Sequence, residues 1–170
     1  MSKISIAALA ISNAIPLLGV LLYDWTVSGV LLLYFIETLI IGFFITLRLR
    51  KSELMPGFII VSLFFAIIHG IFLFIFFEDK LVQEIGPLSH TLIIGSIILF
   101  ASNAIYHFFN YKNTELEHKR KFVARHIKRI QILHLTIIIG VALFSDSLIT
   151  LLIMIAIKTL FDMKLRTTGQ

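Results

Sequence analysis

The stretch Val27–Leu47, VSGVLLLYFIETLIIGFFITL, decides what kind of protein this chain can be. It is apolar almost throughout, and it is long enough to cross a bilayer, since a spanning helix needs about 20 mainly apolar residues. One carboxylate, Glu37, stands at its centre. Every backbone N–H and C=O in hydrocarbon needs an internal partner, so this stretch is predicted to be a helix and not an open strand.

The composition of the whole chain agrees with that stretch. Of the 170 residues, 58% are hydrophobic and 15% are charged, against roughly 45–50% and about 25% in ordinary soluble domains. Lipid is therefore the predicted solvent, and a disordered chain is excluded. The absence of cysteine excludes a disulfide scaffold, a cysteine nucleophile and a thiolate metal site.

Further apolar runs predict an all-α, polytopic integral membrane protein with one domain over residues 1–170. Its six transmembrane helices are predicted at 4–23, 27–47, 57–77, 88–111, 126–144 and 148–163, paired as three hairpins. The first run is interpreted as a retained helix and not a signal peptide, because it continues to Tyr23. Tyr23, Asp24 and Trp25 are predicted to form an aromatic corner at the outer interface.

The basic residues predict the orientation. They collect before the first span and after the second, fourth and sixth, whereas the alternate connectors hold only Lys80 among several acidic residues. Positive residues gather on the cytoplasmic side of membranes. Both termini are therefore predicted to be cytoplasmic, in a multi-pass protein of the cytoplasmic membrane.

The most basic connector, residues 112–129, is predicted to be a cytoplasmic loop containing an interfacial helix. Leu116, Val123 and Ile127 recur at helical spacing between basic residues, which suits contact with anionic lipid head groups. These contacts are assigned to Lys119, Arg120, Lys121, Arg125, Lys128 and Arg129. A partner protein is the alternative, and nucleic acid is not expected because topology accounts for the net charge of +5.

Polar residues inside the spans are predicted to form layers. Counting inward at about 1.5 Å per residue puts five of them near the bilayer midplane. This buried polar layer consists of Asn13, Glu37, His69, His134 and Lys158, and a secondary layer nearer the cytoplasm consists of Asn103, His107 and Asp162. Ionisable groups are costly in hydrocarbon and by default mark function. An ion pair between Glu37 and Lys158 is the least costly arrangement.

That pair has two open interpretations, a buried salt bridge that fixes helix register or a working site. His69 and His134 are candidates to bind haem iron, or a metal together with Glu37, although no local ligand motif accompanies them. No catalytic residue is predicted, because the residue patterns of intramembrane proteases are absent from the sequence.

At these polar positions the sequence resembles a family of small prokaryotic, especially archaeal, multi-span membrane proteins catalogued as a domain of unknown function. The resemblance rests on Tyr34-Phe35-Ile36-Glu37-Thr38-Leu39-Ile40-Ile41-Gly42-Phe43, His69-Gly70-Ile71-Phe72, Leu133-His134-Leu135-Thr136-Ile137 and Lys158-Thr159-Leu160-Phe161-Asp162. The chain departs from the family at Phe35, where Trp is common, and near Arg166, where His is frequent. The resemblance implies the fold and the choice of polar residues, and it implies no activity.

Two functions remain open. In the first, the chain is a proton-linked carrier of an ion or small solute, in which Glu37 exchanges the proton, Lys158 competes for the carboxylate, and His69 and His134 act as relays. A chain of six short helices needs to dimerise to form a transport pathway, so a homo-oligomer is expected. In the second, the chain is a structural or accessory subunit of a larger membrane complex. A haem- or metal-bearing redox protein is a weaker alternative, and no cofactor is otherwise expected.

Overall fold

The computed structural model describes residues 3–109 and 148–167, and between them 120–121, 123–124, 126–128, 130–131, 134–135 and 138. Within these ranges the side chains of 3–6, 9, 77–89, 109, 150 and 165–167 are not described. All described residues are helical apart from two short connections, 24–26 and 50–54. The predicted all-α fold class is confirmed.

Four helices have continuous bounds: α1 Lys3–Tyr23, α2 Val27–Leu49, α3 Met55–Phe109 and α4 Leu148–Thr167. The described residues between 120 and 138 are helical as well. Among the described residues, three segments are long and apolar enough to cross a membrane, namely Val27–Leu49, Met55–Phe76 and His90–Phe108, and Ala10–Tyr23 is a shorter apolar helix. By length and composition the chain therefore has the helices of a membrane protein.

The connection between α1 and α2 is three residues long and tightly bonded. Asp24 has a φ of 51°, the left-handed conformation that commonly ends a helix. The backbone N–H of Trp25 donates to the Gly19 carbonyl oxygen at 3.1 Å. The Thr26 side chain accepts a hydrogen bond from the Gly29 N–H and so caps the first turn of α2. These bonds explain why α2 begins at Val27, the predicted residue.

The side chain of Trp25 contradicts the predicted aromatic corner. It is 3% exposed, and its indole Nε1 donates to Thr91 Oγ1 at 3.0 Å. The ring lies against Gly19 and Gly95. Tyr23 is exposed, as an interfacial aromatic residue would be. Two glycines on different helices leave space for the indole, so Trp25 fastens the first connection to α3 instead of facing the interface.

The two ends of α3 lie side by side. A Cβ on Gly42 would be 3.9 Å from Ser62 Cβ, and the centroids of the Phe44 and Phe100 rings are 5.1 Å apart. A straight helix would separate Ser62 from Phe100 by about 57 Å. Both residues nevertheless contact the same turn of α2, so the chain reverses direction within α3.

The reversal divides α3 into a first arm, Met55–Phe76, and a second arm, His90–Phe108. They correspond to the predicted spans 57–77 and 88–111, but the sequence predicts a separate connector between them, whereas the structure is helical from one arm to the other. The intervening sequence EDKLVQEI consists largely of good helix formers. A fall in hydropathy marks the end of an apolar span without ending the helix.

The core lies between α2 and its neighbours. The largest interface joins α2 to α3, and α1 packs on both α3 and α4. Ser62, Ala66 and Gly70 recur every four residues on the first arm, and Ser62 and Gly70 face Gly42 and Phe35 of α2. The main cluster of buried apolar residues draws on all four helices: Ile15, Val20, Trp25, Val27, Val30, Leu31, Leu33, Tyr34, Leu73, Leu92, Leu99, Leu151, Met154 and Ile155.

A second apolar cluster lies at the end of α2 where the basic residues begin. It consists of Ile41, Ile45, Leu49 and Phe58, with Met55, Val123 and Ile127 packed against it. The helical residues after 120 therefore approach α2 through their apolar side. Elsewhere the outward-facing side chains are large and apolar, such as Phe74 and Ile75 on the first arm. A continuous apolar surface of this kind is unusual on soluble proteins and suits lipid.

Candidate functional site: a buried ammonium hub

The Lys158 ammonium is bonded to three helices. Its Nζ lies 2.8 Å from Glu37 Oε2, 3.0 Å from Asp162 Oδ2 and 3.0 Å from Asn13 Oδ1. We call these four residues the hub. An ammonium carries three N–H donors, so each donor of Lys158 has an acceptor within hydrogen-bonding distance.

The hub is buried and belongs to three elements. Asn13 is on α1, Glu37 on α2, and Lys158 and Asp162 lie one turn apart on α4; none is more than 6% exposed. Removing charges from water costs several kcal/mol per ion and is repaid only by good geometry and additional hydrogen bonds. The hub has both, and it links α1, α2 and α4 at one level.

Tyr34 is a fourth neighbour of the ammonium that sequence reasoning missed. Its ring centroid lies 5.2 Å from Lys158 Nζ, within the range of a cation–π interaction. It is 1% exposed, and its hydroxyl has no hydrogen-bond partner among the described residues. The available signal is spacing, because Tyr34 lies three residues before Glu37 and therefore on the same face of α2.

The structure groups the polar residues differently from the two layers that were predicted by counting residues along each span. Asp162, assigned to the secondary layer, bonds to the same ammonium as Glu37, because residues four apart on a helix lie on one face. His69 and His134, assigned to the main layer, do not contact the hub in the described interactions and form a cluster of their own.

This histidine pair packs edge to face, with ring centroids 4.9 Å apart and an interplanar angle of 76°. Nδ1 of His134 lies 2.8 Å from the Ile130 carbonyl oxygen, and Nε2 lies 2.9 Å from that of Phe65. Both contacts are hydrogen bonds only when both ring nitrogens carry hydrogen. His69 is 1% exposed, and neither of its ring nitrogens has a hydrogen-bond partner among the described residues.

The hub and the histidine pair lie at the same level of α2 on different faces. The Tyr34 ring faces Lys158, while the ring of the next residue, Phe35, packs on His69 with centroids 5.3 Å apart. Successive helical residues point about 100° apart, so the two clusters lie on adjacent faces of α2.

The rest of the secondary layer lies on the second arm of α3. Asn103 is buried, and its Nδ2 donates to the Leu99 carbonyl oxygen at 2.9 Å. The His107 ring stacks on Phe44 at 5.3 Å and 14°, and its centroid is 6.4 Å from that of His126.

Three of the predicted head-group residues can be placed. Arg120, Lys121 and Lys128 are exposed, whereas Lys119, Arg125 and Arg129 lie outside the described residues.

Within the part of the chain that the structure describes, no group of three or more His, Cys, Asp or Glu side chains that could hold a metal ion comes together. Both ring nitrogens of His134 already face carbonyl oxygens. Haem or metal binding by His69 and His134 stays a prediction.

Comparison with known proteins adds one finding. A family model described as a family of unknown function, DUF6498, matches residues 1–169. The chain belongs to this family. The match confirms the resemblance inferred from the motifs around Glu37, His69, His134 and Lys158, and it covers the hub and the histidine pair alike. No curated protein and no solved structure matches the chain.

Proposed function

We propose that this chain is a multi-pass protein of the cytoplasmic membrane, with six spans and cytoplasmic termini, in which the hub supports proton-linked transport of an ion or small solute. The observation that carries the proposal is the Lys158 ammonium shared between carboxylates of two different helices. Ionisable groups at this depth in a span mark proton and ion pathways by default.

The hub contains a coupling device. The Glu37–Lys158 bond joins α2 to α4, whereas the Asp162–Lys158 bond lies within α4. A proton on Glu37 would remove the charge that attracts the ammonium, and Asp162 would keep Lys158 on its own helix. Protonation of Glu37 would therefore loosen α2 from α4, while Lys158 would keep Asp162 as an acceptor. In this way a proton would drive helix movement.

The proposed cycle includes an occluded conformation, and the burial of every hub residue is compatible with that conformation. Opening would require α1 or α4 to move away from α2. Pro16 lies inside α1, three residues after Asn13, and proline removes one helical hydrogen bond and favours a kink. Movement at this point would open the hub on the side of α1. We also expect homo-oligomers, because a chain of six short helices needs to dimerise to form a pathway.

The test is proton flux into vesicles that enclose a pH-sensitive dye and contain the purified protein, driven by a potassium diffusion potential. Glu37→Gln keeps the shape and one acceptor oxygen but cannot exchange a proton, so we expect flux to fall about a hundredfold or more, the smallest effect typical of losing a proton-transfer group. The matched control is Thr38→Val, because the Thr38 hydroxyl bonds to the Tyr34 carbonyl oxygen and not to the hub.

We expect Thr38→Val to retain the wild-type rate, and circular dichroism and gel filtration verify that both variants are folded. Equal rates for wild type and Glu37→Gln would overturn the proposal. The proposal would also be overturned if vesicles containing the wild type were no more permeable to protons, sodium and potassium than protein-free vesicles.

A second function, a structural or accessory subunit, is favoured by one observation: all three donors of Lys158 are directed to acceptors within one chain. Such a saturated hub can fix helix register without exchanging anything. This function predicts purification in mild detergent with another membrane protein at fixed stoichiometry. Recovery of the 19.4 kDa chain alone or as a homo-oligomer would contradict it.

A further inference from the structure

We propose that a groove between α2 and the second arm of α3 binds an anionic phospholipid, with the head group at Arg48 and an acyl chain along the groove. The groove has a volume of about 730 Å³ and is lined by Phe44, Leu47, Arg48, Ala104, Ile105, His107 and Phe108. The volume is within the range of ligand pockets, roughly 300–1,000 Å³. The inference rests on the proposed membrane position of the chain but not on transport.

The depth of Arg48 fits a lipid head group. Arg48 lies in the last turn of α2, eleven residues and so about 16 Å along the helix from Glu37. Half the hydrocarbon thickness of a bilayer is about 15 Å. When Glu37 lies near the midplane, the guanidinium therefore reaches the level of the phosphates, where arginine forms charge-assisted hydrogen bonds with phosphate oxygens.

The walls of the groove fit a hydrocarbon chain. Leu47, Ile105 and Phe108 are each more than 40% exposed, and they face outward from the helices and not into the core. The stacked rings of Phe44 and His107 form its floor. Ala104 has the smallest side chain of the lining residues.

A second apolar groove continues the first toward the other end of α2. It has a volume of about 570 Å³ and is lined by Leu32, Ile36, Ile40, Leu92, Ile93, Ser96, Ile97 and Phe100. On α2 its lining residues Ile36 and Ile40 lead directly to Phe44 and Arg48 of the first groove at intervals of four, so both grooves follow one face of the helix. The two grooves therefore follow one apolar face of α2, with Arg48 at one end.

Charge complementarity selects an anionic lipid. The His107 ring that forms part of the floor lies next to His126, which belongs to the segment bearing the exposed Arg120, Lys121 and Lys128. Basic groups near a membrane surface attract anionic lipids. A helix of a second chain would fit the apolar walls, but an anionic lipid supplies both an acyl chain for those walls and a phosphate for the positive charge of Arg48.

The experiment is native mass spectrometry of the delipidated protein with equal amounts of phosphatidylglycerol and phosphatidylcholine. We expect the wild type to prefer phosphatidylglycerol and Arg48→Gln to bind it about fivefold more weakly, the effect of one basic residue near anionic head groups. Arg50→Gln is the matched control, because Arg50 is exposed and is not part of the groove lining. Ala104→Phe should fill the groove and weaken the binding of both lipids. Soluble glycerol phosphate should not displace bound phosphatidylglycerol.

Three results would overturn the inference: equal binding of the two lipids by the wild type, equal losses in Arg48→Gln and Arg50→Gln, or a change of oligomeric state in Ala104→Phe with unchanged lipid binding. The last result would assign the groove to a second copy of the chain. Thermal unfolding verifies that each variant is folded. Because the assay measures binding in detergent, its outcome is independent of proton flux and of Glu37.

Discussion

Lys158 shows which contacts of one residue can be anticipated. An ammonium in hydrocarbon needs acceptors, and Glu37 is the carboxylate at the matching depth, so the two can be paired by counting residues along their spans. The structure adds Asn13, Asp162 and the ring of Tyr34 to the same ammonium. Those contacts depend on how each helix is rotated about its axis, and depth alone carries no information on rotation.

The two histidines show the opposite outcome. Depth counting places His69 and His134 with the hub, but the structure places His69 beside Phe35 and pairs it with His134. A helix residue can face any direction at a given depth, so α2 can separate groups that lie at one level.

A prediction at this scale concerns Gly19. A Cβ at that position would overlap the ring of Trp25, and the ring is held in place by its bond to Thr91. We expect Gly19→Ala to destabilise the protein by about 1–3 kcal/mol, the usual cost of overpacking a filled core. Thermal unfolding in detergent measures the change.

The control for Gly19 is Gly57→Ala on α3. Nothing lies within 4 Å of a Cβ at Gly57, and alanine is the better helix former. We expect unchanged or slightly raised stability. Equal losses for the two variants would show that the indole does not occupy the space above Gly19.

At the scale of elements, the apolar runs predicted some helix bounds and missed others. α1 ends at the predicted Tyr23, and α2 begins at the predicted Val27. α2 ends at Leu49, beyond the predicted 47, and α4 is helical as far as Thr167, beyond the predicted 163, because a helix continues through charged residues that no longer belong to the apolar span. The helical connector inside α3 has the same cause.

The packing of the first arm on α2 yields a prediction about a disulfide. The Cβ separation of 3.9 Å at Gly42 and Ser62 is within the roughly 3.5–4.5 Å of disulfides, and the chain has no cysteine of its own. We expect the double variant Gly42→Cys, Ser62→Cys to form an intramolecular disulfide under mild oxidation. Trypsin cleavage in the connection 50–54 should then leave the fragments joined until they are reduced.

Gly42→Cys combined with Gly57→Cys is the matched control, since Gly57 has no neighbour for its Cβ within 4 Å. We expect its fragments to separate without reduction. Two outcomes would contradict the antiparallel packing of the first arm on α2. Both cysteine pairs could cross-link to the same extent, or neither pair could cross-link.

At the scale of the whole molecule, the proposed orientation makes a prediction that needs no knowledge of function. Tyr23, the last residue of α1, and Lys51, just after α2, are both exposed and flank α2 at its opposite ends. Because basic residues gather on the cytoplasmic side, a membrane-impermeant maleimide should label Tyr23→Cys in intact cells. It should label Lys51→Cys only after the membrane is permeabilised.

The reverse labelling pattern would invert the proposed orientation, and labelling of both variants in intact cells would show that α2 does not separate the two sites. The cysteine-free wild type provides the background for both measurements. The labelling also tests where Arg48 lies, because it is close to Lys51 in the chain.

The amino-acid sequence by itself determined that the chain is helical, apolar enough for lipid, and equipped with a few ionisable residues inside its apolar runs. Backbone bonding in hydrocarbon, residue hydropathy and the cost of buried charge act locally along the chain, so they can be read from it. Only the tertiary structure decided that one helix continues from the first arm of α3 into the second, that Trp25 points inward, and that Asp162 joins the hub while the histidines do not. Those features depend on helix rotation and on space left by distant glycines, which residues far apart in sequence establish together.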